Sequence, residues 1–233
     1  SLQNADLVIS IGCHLSVSLT GFEYKFFSRE ANLFVVDIDK NEHKKNTVKI
    51  KHFIHSDVNQ FFIKFKGKFT FPEWLKTCRK WKDDWPVCLP KYKSEKLINK
   101  YLFIEIMQKE LERDSVVVSD AGSTFYVTSQ AFQPIKNQRY ITSGAQADMG
   151  FTLPASIGAA FAQKGKMIVG ITGDGSFQMN IQELQTLVHY KIPVKLVIWN
   201  NDGYLSIRTT QKKFFSGRQI GTDKNSGVSF PST

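Results

Sequence analysis

Two polar turns in the second half of the chain carry residue types that bind metal ions and phosphate. Gly173-Asp174-Gly175-Ser176 follows the apolar run 167–172, and Asn200-Asn201-Asp202-Gly203 follows the apolar run 194–199. Carboxylate and amide oxygens are hard donors that suit Mg²⁺, which keeps its other positions for water and phosphate oxygens. The first turn also leaves backbone N–H groups free to bind phosphate near a following helix. Together the turns predict a diphosphate site bridged by a metal ion.

The elements around these turns are predicted to bring them together. Runs 167–172 and 194–199 are typical of buried strands, and residues 180–190 are typical of a helix between them. Asn180 followed by Glu183 has the spacing of a capping box at the start of that helix. In a βαβ unit both turns lie at the carboxyl ends of parallel strands, where open α/β sheets bind ligands. Asp174 and Asn201, which are 27 residues apart in the sequence, are therefore predicted to face one another.

Each turn alone also has a simpler interpretation. Asp-Gly is a common turn, and Asn-Asp-Gly is a hairpin signal, so neither dipeptide indicates a ligand site by itself. Their occurrence after two predicted strands with one helix between them favours the ligand site.

Strands and helices alternate over the rest of the chain, which predicts an α/β protein with two doubly wound parallel-sheet domains. Residues 1–66 are predicted to form the first domain, residues 67–100 a linker with one helix, and residues 101–233 the second domain. The remaining predicted strands lie at 7–12, 33–39, 52–57 and 115–119, and the remaining predicted helices at 58–65, 102–111 and 150–163. Trp74, Trp81 and Trp85 fall at helical spacing in the linker, which favours packing of that helix over stacking on bases or sugars.

The composition is that of a globular protein and argues against several classes of function. The formal net charge is +10, but the basic residues are scattered and form no nucleic-acid motif, so no nucleic-acid partner is predicted. No apolar run approaches the length of a membrane span, so no membrane partner is predicted. The three cysteines lack a paired spacing, which favours a reducing cytoplasm over a disulfide framework or a zinc site.

Gly173-Asp174-Gly175 followed by Asn200-Asn201 resembles the cofactor signature of enzymes that depend on thiamine diphosphate (ThDP), and the chain looks most like acetolactate synthase large (catalytic) subunits. The resemblance implies ThDP and Mg²⁺ as cofactors. It assigns the metal ligands to Asp174, Asn201 and the carbonyl of Gly203, and it places Gly173, Gly175 and Ser176 around the diphosphate. It also implies that both domains are incomplete: residues 1–66 are expected to be the second half of a middle domain, and residues 101–233 a diphosphate-binding domain that is truncated at its C-terminus.

Three further segments share the resemblance. Met149, within residues 143–155, matches a bulky residue that lies beneath the cofactor in the family. Gly122, Ser123 and Thr124 match a loop near the diphosphate, although acetolactate synthases usually have Gln and His where Ser123 and Thr124 stand. Residues 36–39 resemble a segment near which some family members bind FAD, which adds FAD as a candidate cofactor at Asp39.

The resemblance also implies what lies outside this sequence. Family members have an N-terminal domain whose Glu activates the cofactor, and residues 1–233 contain no counterpart of that domain. We therefore expect a truncated piece that has no catalytic residue of its own and is inactive alone. In the full-length homodimer or tetramer, the implied reaction is decarboxylation of a pyruvate-like 2-keto acid with carboligation. A ThDP-dependent decarboxylase or oxidase, and a non-catalytic cofactor-binding subunit of a split enzyme, are the alternatives.

Overall fold

The computed structural model describes residues 2–230, apart from the side chain of Ala145, and divides the chain into two units. The division falls between Pro86 and Val87, inside the segment 67–100 that the sequence predicts as a linker. Ser1 and residues 231–233, which the predicted domains include, lie outside the described residues.

The N-terminal unit contains a three-stranded parallel sheet in the order β1-β2-β3. Its strands are β1 (Leu7–Ile11), β2 (Asn32–Asp37) and β3 (His52–His55), and its helices are α1 (Val17–Thr20), α2 (Val58–Lys64) and α3 (Pro72–Asp84). The central strand β2 buries Leu33, Val35 and Val36, as expected for a parallel strand covered on both faces. The predicted strands and the helices at 58–65 and in the tryptophan-rich segment are confirmed.

The C-terminal unit contains a four-stranded parallel sheet in the order β5-β4-β6-β7. Its strands are β4 (Val116–Ser119), β5 (Arg139–Thr142), β6 (Ile168–Gly173) and β7 (Val194–Trp199). Ser119 pairs in register with Ile171, and Gly173 pairs with Trp199. The carboxyl ends of β4, β6 and β7 therefore lie side by side, and the polar turns that follow them emerge at one edge of the sheet.

Helices cover both faces of this sheet. They are α4 (Lys100–Glu110), α5 (Gly122–Ala131), α6 (Thr152–Ala162), α7 (Asp174–Gln178), α8 (Leu184–His189) and α9 (Leu205–Phe214). On one face Ile104 of α4 and Val127 of α5 pack in one cluster with Ile171, and on the other face Ala159 of α6 packs with Val118. Because both faces are covered, the predicted α/β fold with parallel sheets is confirmed. No helix within residues 2–230 has the length and apolarity needed to cross a membrane.

Several local features differ from the sequence prediction. The sequence reasoning identified none of β5, α5, α7 and α9, because these elements are short or begin within polar turns. The predicted capping box is wrong, since α8 begins at Leu184 and the Asn180 side chain makes no cap hydrogen bond. Asn180 Nδ2 instead donates to the carbonyl of Gly150 at 2.8 Å, and Glu183 accepts from the Thr186 hydroxyl at 2.8 Å. The Asn180 side chain thus makes a tertiary contact with Gly150 instead of capping the helix.

We predict that Ile171→Ala lowers the free energy of unfolding of the C-terminal unit by about 2–5 kcal/mol, because the side chain is fully buried in the core. Hydrogen exchange of β4 and β6 under increasing urea measures the effect. Ile135→Ala serves as the control, because Ile135 is 54% exposed. Equal losses in the two variants would contradict the assigned core.

Candidate metal–diphosphate site

Every residue that the sequence analysis assigned to ThDP or its metal ion lines one cavity at the carboxyl edge of the C-terminal sheet. The residues come from the start of α5 (Gly122, Ser123 and Thr124), the turn before α6 (Met149), the end of β6 with α7 (Gly173, Asp174, Gly175 and Ser176), and the loop after β7 (Asn201 and Gly203). The parallel register of β4, β6 and β7 is what brings these distant segments together. Tyr204, Leu205, Ser206 and Ile207 line the same cavity, although the sequence reasoning did not assign them to the site.

Asp174 lies at the centre of the hydrogen bonding in this cavity. Its side chain is almost completely buried at the start of α7. Oδ2 accepts the backbone N–H groups of Gly203 at 2.7 Å and Asn201 at 3.3 Å, and Oδ1 accepts that of Gly175 at 3.0 Å. One carboxylate therefore connects the turn after β6 to the loop after β7. Oδ1 retains a free lone pair that can coordinate a cation.

The Asn201 side chain supplies a second oxygen donor. Its Oδ1 is buried and has no hydrogen-bond partner among residues 2–230. An unpaired buried acceptor costs about 1–3 kcal/mol, and coordination of a cation would remove that cost. The residues therefore fit a hard metal ion, with Asp174 and Asn201 as side-chain ligands. The third expected ligand, the carbonyl of Gly203, accepts the N–H of Leu205 at 3.0 Å.

Two glycines allow the backbone to pack closely here. A Cβ atom at Gly175 would lie 2.5 Å from the Tyr204 ring. Gly203 has a φ of +120°, and a Cβ atom there would collide with the carbonyl oxygen of Thr222. A side chain at either position would displace the loops that hold Asp174 and Asn201.

Arg208 holds the loop after β7 from the side of α9. Its Nη2 donates to the carbonyl of Asn201 at 2.7 Å, and its Nη1 donates to that of Asp202 at 2.6 Å. Nη1 also lies 3.5 Å from Asp223 Oδ2. The sequence reasoning missed Arg208, because it belongs to no motif and only the packing of α9 brings it to this loop.

Asp120 connects the start of α5 to strand β6 beside the cavity. It is fully buried at the end of β4, and its carboxylate accepts the hydroxyls of Thr172 on β6 and Thr124 on α5, both at 2.8 Å. The N–H of Ala121 donates to it at 2.7 Å. Thr124 therefore lines the cavity with its hydroxyl already committed to Asp120. Ser123, its neighbour, accepts a hydrogen bond from Lys100 Nζ at 2.7 Å.

Met149 reaches the cavity from the turn that precedes α6. Its side chain is 37% exposed, and the Asn180 amide holds the adjacent Gly150 carbonyl in place. Asp39, the candidate FAD residue, lies in the N-terminal unit just after β2. Its carboxylate accepts the backbone N–H of Asn41 at 2.8 Å and the side-chain amide of Asn41 at 3.1 Å.

Comparison with known proteins identifies the class. Residues 120–232 match the family described as "Thiamine pyrophosphate enzyme, C-terminal TPP binding domain". This match contains the Asp174 and Asn201 loops, so the C-terminal unit belongs to this class of TPP-binding domains.

Nearly the whole chain is similar to acetolactate synthase large subunits. It is 31% identical to the subunit of Porphyra purpurea over 226 residues, which are 94% of this chain and 38% of that protein. It is 32% identical to the subunit of Lactococcus lactis over 94% of this chain and 38% of that protein. The isozyme 2 large subunit of Escherichia coli is 29% identical over 95% of this chain and 40% of that protein. The chain thus spans about two fifths of the length of these relatives, and over that span it is acetolactate synthase-like.

We predict that Arg208→Met loosens the loop that carries Asn201. The two hydrogen bonds from a charged donor are worth about 1.5–3 kcal/mol each, so backbone exchange in residues 200–204 should rise at least about tenfold. Hydrogen–deuterium exchange measures the effect, with Arg218→Met as the matched control because Arg218 is exposed. Unchanged exchange in the loop would show that Arg208 does not hold it.

Proposed function

We propose that this chain supplies the Mg²⁺–diphosphate half of the active site of a ThDP-dependent enzyme that decarboxylates 2-keto acids and joins the product to an acceptor, as acetolactate synthase does. The observation that carries the proposal is that the buried Asp174 carboxylate accepts the backbone N–H of Asn201, whose own side-chain Oδ1 is buried and has no hydrogen-bond partner among the described residues. The match to a TPP-binding domain and the similarity to acetolactate synthase large subunits support it.

In this proposal each group has a defined task. Asp174, Asn201 and the carbonyl of Gly203 would hold Mg²⁺, which would supply positive charge for a diphosphate. The backbone N–H groups around Gly122 and Ser176, together with the Ser123 hydroxyl, line the same cavity and would donate to phosphate. Met149 supports the rest of the cofactor by packing. The bound cofactor supplies the decarboxylation and carbon–carbon bond chemistry, and the protein positions it and excludes water.

The group that activates the cofactor is assigned to another polypeptide segment. Among the described residues that line the cavity, Asp174 is the only carboxylate, and three backbone N–H groups already occupy it. We assign the activating Glu that the resemblance implies to another polypeptide segment, and an active site between the subunits of a homodimer or tetramer would bring it to this cavity. The substrate is a pyruvate-like 2-keto acid. A reducing cytoplasm is the proposed location, and it suits the free cysteines Cys13, Cys78 and Cys88.

One feature of the cavity favours a second candidate within the same cofactor class. Ser123 and Thr124 stand where acetolactate synthases usually have Gln and His, and the Thr124 hydroxyl is committed to Asp120. A 2-keto acid decarboxylase or oxidase, or a cofactor-binding subunit of a split enzyme, is therefore the alternative. Product analysis with pyruvate in the assembled enzyme separates these activities, because carboligation yields acetolactate.

We predict that Asp174→Ala abolishes Mg²⁺-dependent ThDP binding, because it removes a metal ligand and the acceptor that orders the Asn201 loop. Titration calorimetry with and without Mg²⁺ measures the affinity. Asp202→Asn is the control, since it removes one negative charge from the same loop at an exposed side chain. Unchanged ThDP affinity in Asp174→Ala would reject the ligand assignment.

We further predict negligible turnover of pyruvate by the chain alone, even with ThDP and Mg²⁺ present. Addition of a polypeptide that supplies the activating Glu should restore CO₂ release. Sustained decarboxylation by the purified chain would overturn the assignment of that Glu to another segment.

A further inference from the structure

The ammonium group of Lys100 lies next to Ser123, a residue that lines the candidate site, and it forms no ion pair among the described residues. Lys100 is the first residue of α4, and the Asn99 side chain caps this helix by accepting the N–H groups of Tyr101 and Leu102. The Lys100 side chain is half-buried. Its Nζ donates to Ser123 Oγ at 2.7 Å and lies 5.5 Å from the centroid of the Trp199 ring.

The surroundings of Lys100 balance its charge only in part. Within the described part of the chain, Ser123 Oγ is the one hydrogen-bond partner of Nζ, and Lys100 makes no ion pair. Burial lowers the pKa of Lys100, while the charge of Asp174 acts in the opposite direction. A half-buried ammonium without a counter-ion is costly, so the arrangement suits an anion that arrives in the cavity.

The cavity itself lacks a cation. Among the described residues that line it, none is Lys, Arg or His, and the one charged side chain is the carboxylate of Asp174. A diphosphate carries more negative charge than one divalent ion neutralises, and Asp174 adds to the excess. Two cations are hydrogen-bonded to residues of the cavity wall: Arg208 donates to the backbone carbonyl of Asn201, whereas Lys100 donates to the side-chain hydroxyl of Ser123, which can pass its own hydrogen on to a ligand.

The direction of the hydrogen bond between Lys100 and Ser123 determines how the charge of Lys100 can act on a ligand in the cavity. An ammonium group has only donors, so Ser123 Oγ is the acceptor and its own hydrogen is free to be donated onward. A hydroxyl that accepts from a cation is polarised and becomes a stronger donor.

We propose that Lys100 and Ser123 form a charge-assisted relay, in which the Ser123 hydroxyl donates to a phosphate oxygen of the diphosphate and Lys100 acts through it as a positioning residue. This inference rests on the proposed function, because it requires the cavity to bind a diphosphate. Lys100 then balances the part of the negative charge of the diphosphate that Mg²⁺ does not neutralise.

The test is a thermodynamic cycle on the full chain, read by titration calorimetry with ThDP and Mg²⁺ and, as a second probe, with inorganic diphosphate and Mg²⁺. Lys100→Met and Ser123→Ala should each weaken binding about tenfold, as expected for loss of a charge-assisted hydrogen bond. The double variant should lose little more than either single variant, because both changes break the same relay. Lys100→Arg should restore most of the affinity.

Lys96→Met is the matched control, since it removes one positive charge from an exposed side chain in the same unit and should leave affinity unchanged. Thermal unfolding monitored by circular dichroism verifies that each variant is folded. Unchanged affinity in Lys100→Met, or losses that multiply in the double variant, would overturn the relay while leaving the proposed function intact. A wild-type chain that binds neither probe would overturn both.

Discussion

The carboxylate of Asp174 joins the ends of two neighbouring strands, and the rest of the site depends on that connection. It accepts backbone N–H groups from Gly175, on its own turn, and from Asn201 and Gly203, on the loop after β7. A buried carboxylate needs such donors, because an unsatisfied charge in the protein interior is costly. The same bonds orient the Asn201 loop, whose amide oxygen is buried without a partner among the described residues. The hydrogen bonds of one carboxylate thus also fix the loop that carries Asn201, the second side-chain oxygen of the proposed metal site.

The fold explains why this connection forms. In a parallel sheet, consecutive βα turns leave the same edge, and the pairing of Gly173 with Trp199 sets the two turns beside each other. A second buried carboxylate, Asp120, performs the equivalent task between β4 and β6 through the hydroxyls of Thr124 and Thr172. The cavity wall is consequently built from short polar side chains and backbone, with Lys100 supplying positive charge from behind Ser123. Such a wall suits a phosphate-bearing ligand more than an apolar one.

The sequence predicted the fold class and the residues of the cavity wall well, because both depend on local patterns. Buried strands appear as apolar runs, and the turns after 172 and 199 carry glycines beside oxygen ligands. What it could not predict depends on contacts between distant residues. Asn180 has the local pattern of a helix cap, yet the Gly150 carbonyl, distant in sequence, binds its amide instead. Arg208 and Lys100 belong to no motif, and only the packing of α9 and α4 brings them to the loops that they contact.

A crystal structure of the chain with ThDP and Mn²⁺ in place of Mg²⁺, with anomalous scattering to locate the metal, tests the proposed site most directly. One peak is expected at about 2.2 Å from both Asp174 Oδ1 and Asn201 Oδ1, with the diphosphate completing the coordination. A metal peak away from these two oxygens, or a diphosphate bound without contact to either loop, would contradict it.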